Sequence, residues 1–247
     1  MRMHVRNTLA VISIVQAVPA PASPVLAIAV QVRPADRQAL RSALYRDQTA
    51  ALKKWRADGL ITGYRLLLGR YPDAAQWDAF ELLNFSDEAA MARWRKAANE
   101  PFGRGVLALA QKIETTPGEA VRGEGGRSRN PAILVIPYQL MVPPQEYVSY
   151  LDGYTIPQFR GWMKAGVLDG YDVVMSSYPA GRPWGALITL RYHDDVALGR
   201  REEIVQARRA ALSTDRAWKA LADSKKGIRS EGVLTVADEV SSGGDTQ

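Results

Sequence analysis

The sequence predicts an α+β protein made of two tandem copies of one β-α-β-β-α-β unit, packed sheet to sheet. Two observations lead to this fold class. A long segment repeats without a gap at an offset of 107 residues, and strand-like and helix-like segments follow in the same order in both copies. In a unit of this order the helices cover one sheet face, so the other apolar face needs a partner. In a tandem pair that partner is the other copy.

The repeat is a match between Trp55–Arg93 and Trp162–Arg200. The two segments share 12 identities in 39 positions, whereas unrelated segments would share about two or three at typical residue frequencies. Tryptophan, glycine and a Tyr-Pro pair are among the shared residues, and these types rarely coincide by accident. The match therefore predicts an internal duplication.

The first copy begins with an apolar, β-branched run, Val25–Val32, which predicts a buried strand. Pro34 opens a helix, because proline is favoured in a first turn, and Gly59 is expected to end it as a C-cap glycine. A turn containing Pro and Asp then predicts a hairpin of two strands, Gly63–Tyr71 and Trp77–Phe85.

A second helix of the first copy is expected to start at a cap, Ser86 or Asp87, and to run toward Asn99. A last strand should follow, but the sequence does not place it. The second copy repeats the order, with Pro157 expected to kink or break its first helix. Its predicted elements are strand Ile133–Leu140, helix Pro144–Lys164, strands Gly170–Tyr178 and Trp184–Tyr192, helix Asp195–Leu212 and strand Gly232–Val236.

These elements divide the chain into five predicted regions. They are a signal peptide at 1–22, the first copy at 23–116, a flexible linker at 117–130, the second copy at 131–240 and a disordered tail at 241–247. The linker is predicted from its richness in Gly, Glu, Arg and Ser.

Composition excludes several classes of function. The chain has no cysteine, which excludes disulfides and thiol catalysis, and two histidines. Its formal net charge of +6 is modest and spread out, unlike the basic stripe of a nucleic-acid binder. The sequence shows no Ser-His-Asp order, phosphate loop, dinucleotide fingerprint or metal-ligand spacing.

The repeated residues carry a resemblance to a known superfamily. A helix ending in Trp-x-x-x-Gly, then Gly-Tyr, a strand, Tyr-Pro, Trp-x-Ala and an Asp-capped helix resembles the dimeric α/β-barrel proteins. The resemblance covers Val25–Ala98 and Ile133–Val236, and it implies two ferredoxin-like units packed into an α/β barrel. Families of this fold include cofactor-free monooxygenases, small-ring isomerases, haem peroxidases and chlorite-degrading enzymes, so the resemblance implies a fold rather than one activity.

Glu81 is the first candidate catalytic residue. Strand alternation predicts one apolar face, interrupted only by Glu81, that comprises Trp77, Ala79, Glu81, Leu83 and Phe85. A desolvated carboxylate there would have a raised pKa and could serve as a general base. Alternatively, Glu81 pairs with an arginine, Arg65 or Arg70, or lies near solvent.

His193 is the second candidate catalytic residue, as a general base or a haem axial ligand. The alternative is a capping or surface histidine. Candidate ligand-binding residues are Tyr64, Arg70, Trp77, Tyr171 and Trp184. The first copy is expected to hold the better site, because it has Glu81 and Arg70 where the second copy has Ile188 and Ser177.

Three functional hypotheses follow from these residues. The first is a barrel that binds a small apolar or aromatic molecule, with cofactor-free oxygenase or isomerase-type chemistry. The second is a non-enzymatic ligand-binding or stress-related protein, and the third is a haem protein that uses His193. No other cofactor and no metal is expected, and whether the chain associates with itself is left open.

The N-terminus predicts export to the periplasm or the exterior. Arg2 and Arg6 precede an apolar run, Thr8–Val18, and Ala20-Pro21-Ala22 fits the small-x-small cleavage pattern of a secretory signal. The run is too short to span a membrane. We expect the mature protein to begin near Ser23 outside the cytoplasm, and N-terminal sequencing of exported material checks this. An intact Met1 in a cytoplasmic pool would contradict it.

Overall fold

A computed structural model of the chain describes residues 23–73, 75–98, 102–126, 128 and 130–244. The expected signal peptide at 1–22 lies outside the described residues. The strands of the first half are β1 Ser23–Val32, β2 Gly63–Gly69, β3 Ala79–Asn84 and β4 Ala110–Gly125. Its helices are α1 Arg37–Ala43, α2 Thr49–Ala57, α3 Glu88–Ala98 and α4 Arg104–Leu107. A 3-10 turn, Pro34–Asp36, precedes α1, and a π-helical turn, Leu44–Gln48, joins α1 to α2.

The second half has the same order of elements with additions near its end. Its strands are β5 Ala132–Leu140, β6 Leu168–Ser176, β7 Ala186–Tyr192, β8 Arg229–Glu231 and β9 Thr235–Gly243. Its helices are α5 Pro144–Tyr150, α6 Ile156–Lys164, α7 Asp195–Gly199, α8 Arg201–Leu212 and α9 Arg216–Ile228, with a π-helical turn at Leu151–Thr155. Both π-helical turns lie at the offset of the sequence repeat.

Eight of the strands close into one antiparallel barrel. The first half has the strand order β4-β1-β3-β2 and the second half β9-β5-β7-β6. The halves meet at two seams, where β4 pairs with β6 and β9 pairs with β2. The last strand of each half thus pairs within its own half and with the other half, which leaves no open edge between them. This is the predicted α+β barrel.

Three cores fill the two sides of this barrel. The interior is packed by Val25, Leu67, Phe80 and their counterparts Ile133, Val174 and Leu187. Outside the barrel, α1, α2 and α3 cover the first half through a second core, which we call the helix-side core. It includes Leu40, Leu52 and Trp94. The third core, under α5, α6, α8 and α9, is rich in aromatic residues. Each sheet is therefore apolar on both faces.

Several local predictions are confirmed. Gly59 follows the end of α2 with φ +71°, and Gly166 has the same φ after α6. This left-handed conformation suits glycine because it has no Cβ. Pro157, expected to kink or break this helix, lies in the first turn of α6 directly after the π-helical turn. The first half has the same turn without a proline, so the turn does not depend on Pro157.

The predicted linker at 117–130 needs correction. Residues 117–125 belong to β4, which is the last strand that the sequence did not place. Polar residues are tolerated there because the strand is only partly buried, and its backbone is satisfied by β1 and β6. The last strand of the second half, predicted as Gly232–Val236, is instead β9, and residues 241–243 of the expected tail belong to it.

The second helix of the second half is also longer than predicted. The predicted range Asp195–Leu212 is divided between α7 and α8, and α9 follows after a cap at Asp215. In α9, Trp218 is buried, and its indole nitrogen donates a hydrogen bond to the Tyr154 carbonyl at 3.0 Å. Within the described residues, no helix is long and apolar enough to cross a membrane.

A glycine at the seam tests this topology. A Cβ on Gly118 would lie 2.5 Å from the Met175 carbonyl oxygen, across the seam between β4 and β6. We expect Gly118→Ala to lower the free energy of unfolding by about 1–3 kcal/mol, as overpacking does. Gly126→Ala is the matched control, because a Cβ there meets nothing within 4 Å. Urea denaturation of both variants measures the effect, and equal stabilities would argue against this pairing.

Candidate functional site

The barrel interior is packed in the middle and opens into a cavity near each end. One cavity, of about 230 Å³, is lined by Trp77, Phe80, Trp184 and Leu187. We call it the tryptophan cavity. The other, of about 190 Å³, is lined by Arg65, Asp172, Arg191 and Glu239, and we call it the charged cavity. The interior core lies between them.

The tryptophan cavity is formed by corresponding residues of the two halves. Trp77 and Trp184 each lie two residues before a central strand, β3 or β7. Trp184 is 5% exposed, and the half-buried Trp77 packs against the Phe80 ring with centroids 5.2 Å apart. Polar groups line the cavity as well, among them Gln31, Gln76 and the ion pair of Lys112 with Glu114. The cavity thus combines aromatic surface with hydrogen-bonding groups.

Glu81 lies on the opposite side of the sheet from this cavity. Its neighbours on β1 and β2 are Ile28 and Leu66, both members of the helix-side core. Trp77 lies on the interior side, because β3 begins only at Ala79 and the expected alternation does not extend back to it. The expected face of five residues is therefore wrong at Trp77.

The Glu81 carboxyl is fully buried. Its Oε2 accepts a hydrogen bond from the Gln48 side chain at 2.5 Å, and its Oε1 has no partner among the described residues. Gln48, at the end of the π-helical turn, accepts in turn from the Gly103 amide at 2.9 Å. Burial raises the pKa of Glu81 from 4.5 to about 8, although the Gln48 hydrogen bond acts in the opposite direction. At neutral pH the group is mainly protonated.

This buried pair is confined to the first half. At the repeat offset, Glu81 corresponds to Ile188 and Gln48 to Thr155. Arg65 and Arg70 do not bind Glu81, since Arg65 pairs with Asp172 and Arg70 with Asp238 and Asp195. Glu81 is in the lining of none of the three cavities located, which include a third near Arg37 and Asp78.

The five predicted ligand-binding residues are not brought together. Trp77 and Trp184 share the tryptophan cavity. Tyr64 borders the charged cavity, with its hydroxyl 3.2 Å from the Ser241 hydroxyl. Arg70 is engaged in ion pairs that join the two halves. Tyr171 is buried against Phe159, and its hydroxyl donates to Glu124 at 3.3 Å.

His193 is at the surface. Its side chain is 61% exposed, and its Nδ1 lies 3.2 Å from the Asp169 carboxylate. The residue follows the end of β7, where Asp194 caps α7 through the Ala197 amide. The alternative of a surface histidine fits these contacts. Among the described residues, no group of three or more His, Asp or Glu side chains could hold a metal ion.

The sequence did not predict the roles of Gln48 and of the arginine cluster. A glutamine in a helix is ordinarily solvated, so nothing in the pattern marked Gln48 as buried. The cluster could not be predicted from local pattern, because its members lie on strands of both halves: Arg65, Asp172 and Arg191. One signal was available: Arg65 and Asp172 occupy corresponding positions of the repeat with opposite charges. Residues near a two-fold axis between repeats meet their own counterparts, so opposite charges there predict an ion pair.

Comparison with known proteins bears on the fold. No family model and no curated protein matches the chain. Among solved structures, an anthrone oxidase-like protein is similar with a TM-score of 0.56, at 12% identity, over 91% of this chain and 93% of that one. A monooxygenase candidate from Lactobacillus acidophilus NCFM matches with a TM-score of 0.56, at 13% identity, over 90% of this chain and 96% of that one.

A haem-binding protein from Thermus thermophilus is a more distant match. Its TM-score is 0.50, at 12% identity, over 91% of this chain and 95% of that one. These proteins share the ferredoxin-like α/β-barrel architecture with the chain. The likeness confirms the fold that the repeated motifs predict.

The raised pKa of Glu81 gives a test of its burial. Because protonated Glu81 is favoured in the folded state, its contribution to stability is complete below pH 4.5 and is lost as the pH rises through about 8. We expect Glu81→Gln to remove this loss. The free energy of unfolding of the variant, relative to wild type, should therefore rise between pH 5 and 8, by at most about 1.4 kcal/mol per pH unit.

Denaturant titrations at several pH values measure this difference. Glu119→Gln, which changes an exposed carboxylate on β4, is the matched control. A pH-independent difference for Glu81→Gln would mean that Glu81 titrates in its ordinary range.

Proposed function

We propose that the protein binds a small aromatic molecule in the barrel interior, at the tryptophan cavity. The observation that carries this proposal is the meeting of Trp77 and Trp184, with Phe80, around one cavity of about 230 Å³. Ligand sites are typically apolar cavities with a few polar groups that fix orientation. Gln31, Gln76 and the Lys112–Glu114 pair supply such groups here.

The size of the cavity limits the ligand. An engineered apolar cavity of about 150 Å³ holds benzene. A cavity of about 230 Å³ therefore suits one ring or a fused pair of rings with a small substituent. Flat rings would stack on indole surfaces, which favours aromatic over aliphatic ligands.

Proton transfer at Glu81 is the second candidate function. It is favoured by the buried carboxyl whose Oε1 has no partner among the described residues, and by its pKa of about 8. A carboxyl of this kind can take a proton from a carbon acid or hydroxyl once it is ionised. This would support cofactor-free oxygenase or isomerase-type chemistry, as the similar anthrone oxidase-like and monooxygenase structures suggest. The helix layer would have to open to admit substrate.

Binding without catalysis is the remaining alternative. The protonation behaviour of Glu81 distinguishes it from proton-transfer catalysis. The pH dependence of Glu81→Gln stability is the first test, because a carboxyl that titrates in its ordinary range is no tuned base. A haem at His193 does not fit the described residues, since that side chain is mostly exposed and engaged with Asp169. Export to the periplasm or exterior belongs to the proposal as well, and it rests on the N-terminal sequence alone.

Indole is a suitable probe for the tryptophan cavity. We expect the wild-type protein to bind indole, as measured by calorimetry. Trp77→Ala should weaken indole binding by about tenfold, which corresponds to about 1.4 kcal/mol. Trp55→Ala is the matched control, because Trp55 is also half-buried but packs on Trp94 in the helix-side core. Equal affinities in both variants would rule out this cavity. Native mass spectrometry of the purified protein then identifies any ligand that copurifies, haem included.

A further inference from the structure

The charged cavity contains an arginine, Arg191, whose guanidinium lacks most of its hydrogen bonds. Arg65 and Arg191 are buried, at 6% and 3% exposure. Asp172 and Glu239 lie beside them. A fifth charged residue, Arg122, is paired outside this group. Its Nε and Nη2 each donate a hydrogen bond of 2.7 Å to the Asp152 carboxylate. Two buried arginines therefore share two carboxylates.

Arg65 is the more closely paired of the two arginines, although its own Nε has no hydrogen-bond partner among the described residues. Its Nη1 donates a short hydrogen bond to Asp172, and its Nε lies 3.5 Å from a Glu239 oxygen. Burial acts to lower the pKa of Arg65, but the two carboxylates outweigh burial and raise it. The charge of Arg65 is thus compensated within the protein.

Arg191 has few hydrogen-bond or ion-pair partners. Its Nη1 is 3.9 Å from the Asp172 carboxylate, beyond hydrogen-bond distance. Its Nε and Nη2 are buried and have no partner among the described residues. Burial and the neighbouring Arg65 lower the pKa of Arg191. A buried charge without a partner is costly, and a protein ordinarily retains one only for a purpose.

The backbone makes room for this guanidinium. A Cβ on Gly170 would lie 2.3 Å from Arg191 Nη2 and 2.7 Å from the Glu124 carbonyl oxygen, so the guanidinium and β4 both pack against this glycine. The strand pairing between β6 and β7 shifts register beside Gly170. At the repeat offset, Arg191 corresponds to Asn84, which borders the same cavity. The second half has an arginine where the first half has a neutral amide.

We propose that the charged cavity binds a small monocarboxylate, held by the guanidinium of Arg191, which borders the cavity. A carboxylate matches the planar fork of a guanidinium with two parallel hydrogen bonds. Leu82, Val174 and Ala120 supply apolar wall for the rest of such a molecule. This site lies at the other end of the barrel from the tryptophan cavity and does not depend on the function proposed there.

The charge of the cavity limits the ligand to one negative charge. Asp172 and Glu239 lie in the same cavity as Arg191 and would repel a second negative charge on the ligand. A doubly charged phosphate would meet the Asp172 and Glu239 carboxylates at close range. We therefore expect discrimination in favour of carboxylate over phosphate.

Benzoate is the probe, and benzamide is its neutral isostere. We expect benzoate to raise the melting temperature of the full protein in a concentration-dependent way, while benzamide, and phosphate at equal ionic strength, do not. Equal shifts with benzoate and benzamide would overturn the proposal. So would a phosphate shift as large as that of benzoate, since the site would then be an unselective anion site.

Arg191→Met tests the residue itself. We expect it to weaken benzoate binding by at least about tenfold while the protein remains folded, because methionine fills much of the volume without a buried charge. Arg191→Lys keeps the charge but loses the fork, and should bind with reduced affinity; it replaces Arg191→Met if that variant does not fold. Arg95→Gln, at an exposed arginine on α3, is the charge-matched control. A benzoate affinity equal to that of wild type in both Arg191 variants would refute the assignment.

The two sites are tested independently. Trp77→Ala should leave benzoate binding unchanged, and Arg191→Met should leave indole binding unchanged. Failure of the wild-type protein to bind indole, with benzoate binding intact, would count against the tryptophan cavity and not against the charged cavity.

Discussion

The closure of the barrel by two shared strands is the constraint on which the rest of the structure depends. Each half alone is a four-stranded sheet with helices on one face, and its other face is apolar. Because β4 pairs with β6 and β9 with β2, those faces enclose one interior and the outer edges are satisfied. Both cavities exist only because this closure joins strands of different halves around them.

The closed barrel gives its interior two unlike ends. Aromatic rings from corresponding positions meet at one end, and oppositely charged side chains from corresponding positions meet at the other, as Arg65 and Asp172 do. The helix layers differ too: one covers the Glu81–Gln48 pair, and the other covers a stack that includes Tyr154 and Trp218, with centroids 5.0 Å apart. The two halves share a backbone arrangement and have separate chemistry.

The sequence predicted the parts of the fold that depend on local pattern. The repeat at an offset of 107 predicted the central hairpins and the glycine that ends the first helix of each half, whereas the π-helical turns appear only in the structure. The sequence did not identify β4, because this strand is only partly buried and so needs few apolar side chains, and because Pro117 and Gly118 look like turn residues. Burial of Glu81 follows from alternation, whereas its partner Gln48 and the Arg191 cluster depend on tertiary contacts that periodicity does not encode.

The shared strands have a consequence for the connection between the halves. β4 ends at Gly125 and β5 begins at Ala132, so only six residues connect the last strand of one half to the first strand of the other. The halves therefore resemble two subunits held at a permanently high effective concentration by a short tether. A tethered pair does not have to find its partner or reject identical copies, so each half is free to change its side chains without losing the other. In that respect the chain is an obligate heterodimer encoded as one polypeptide.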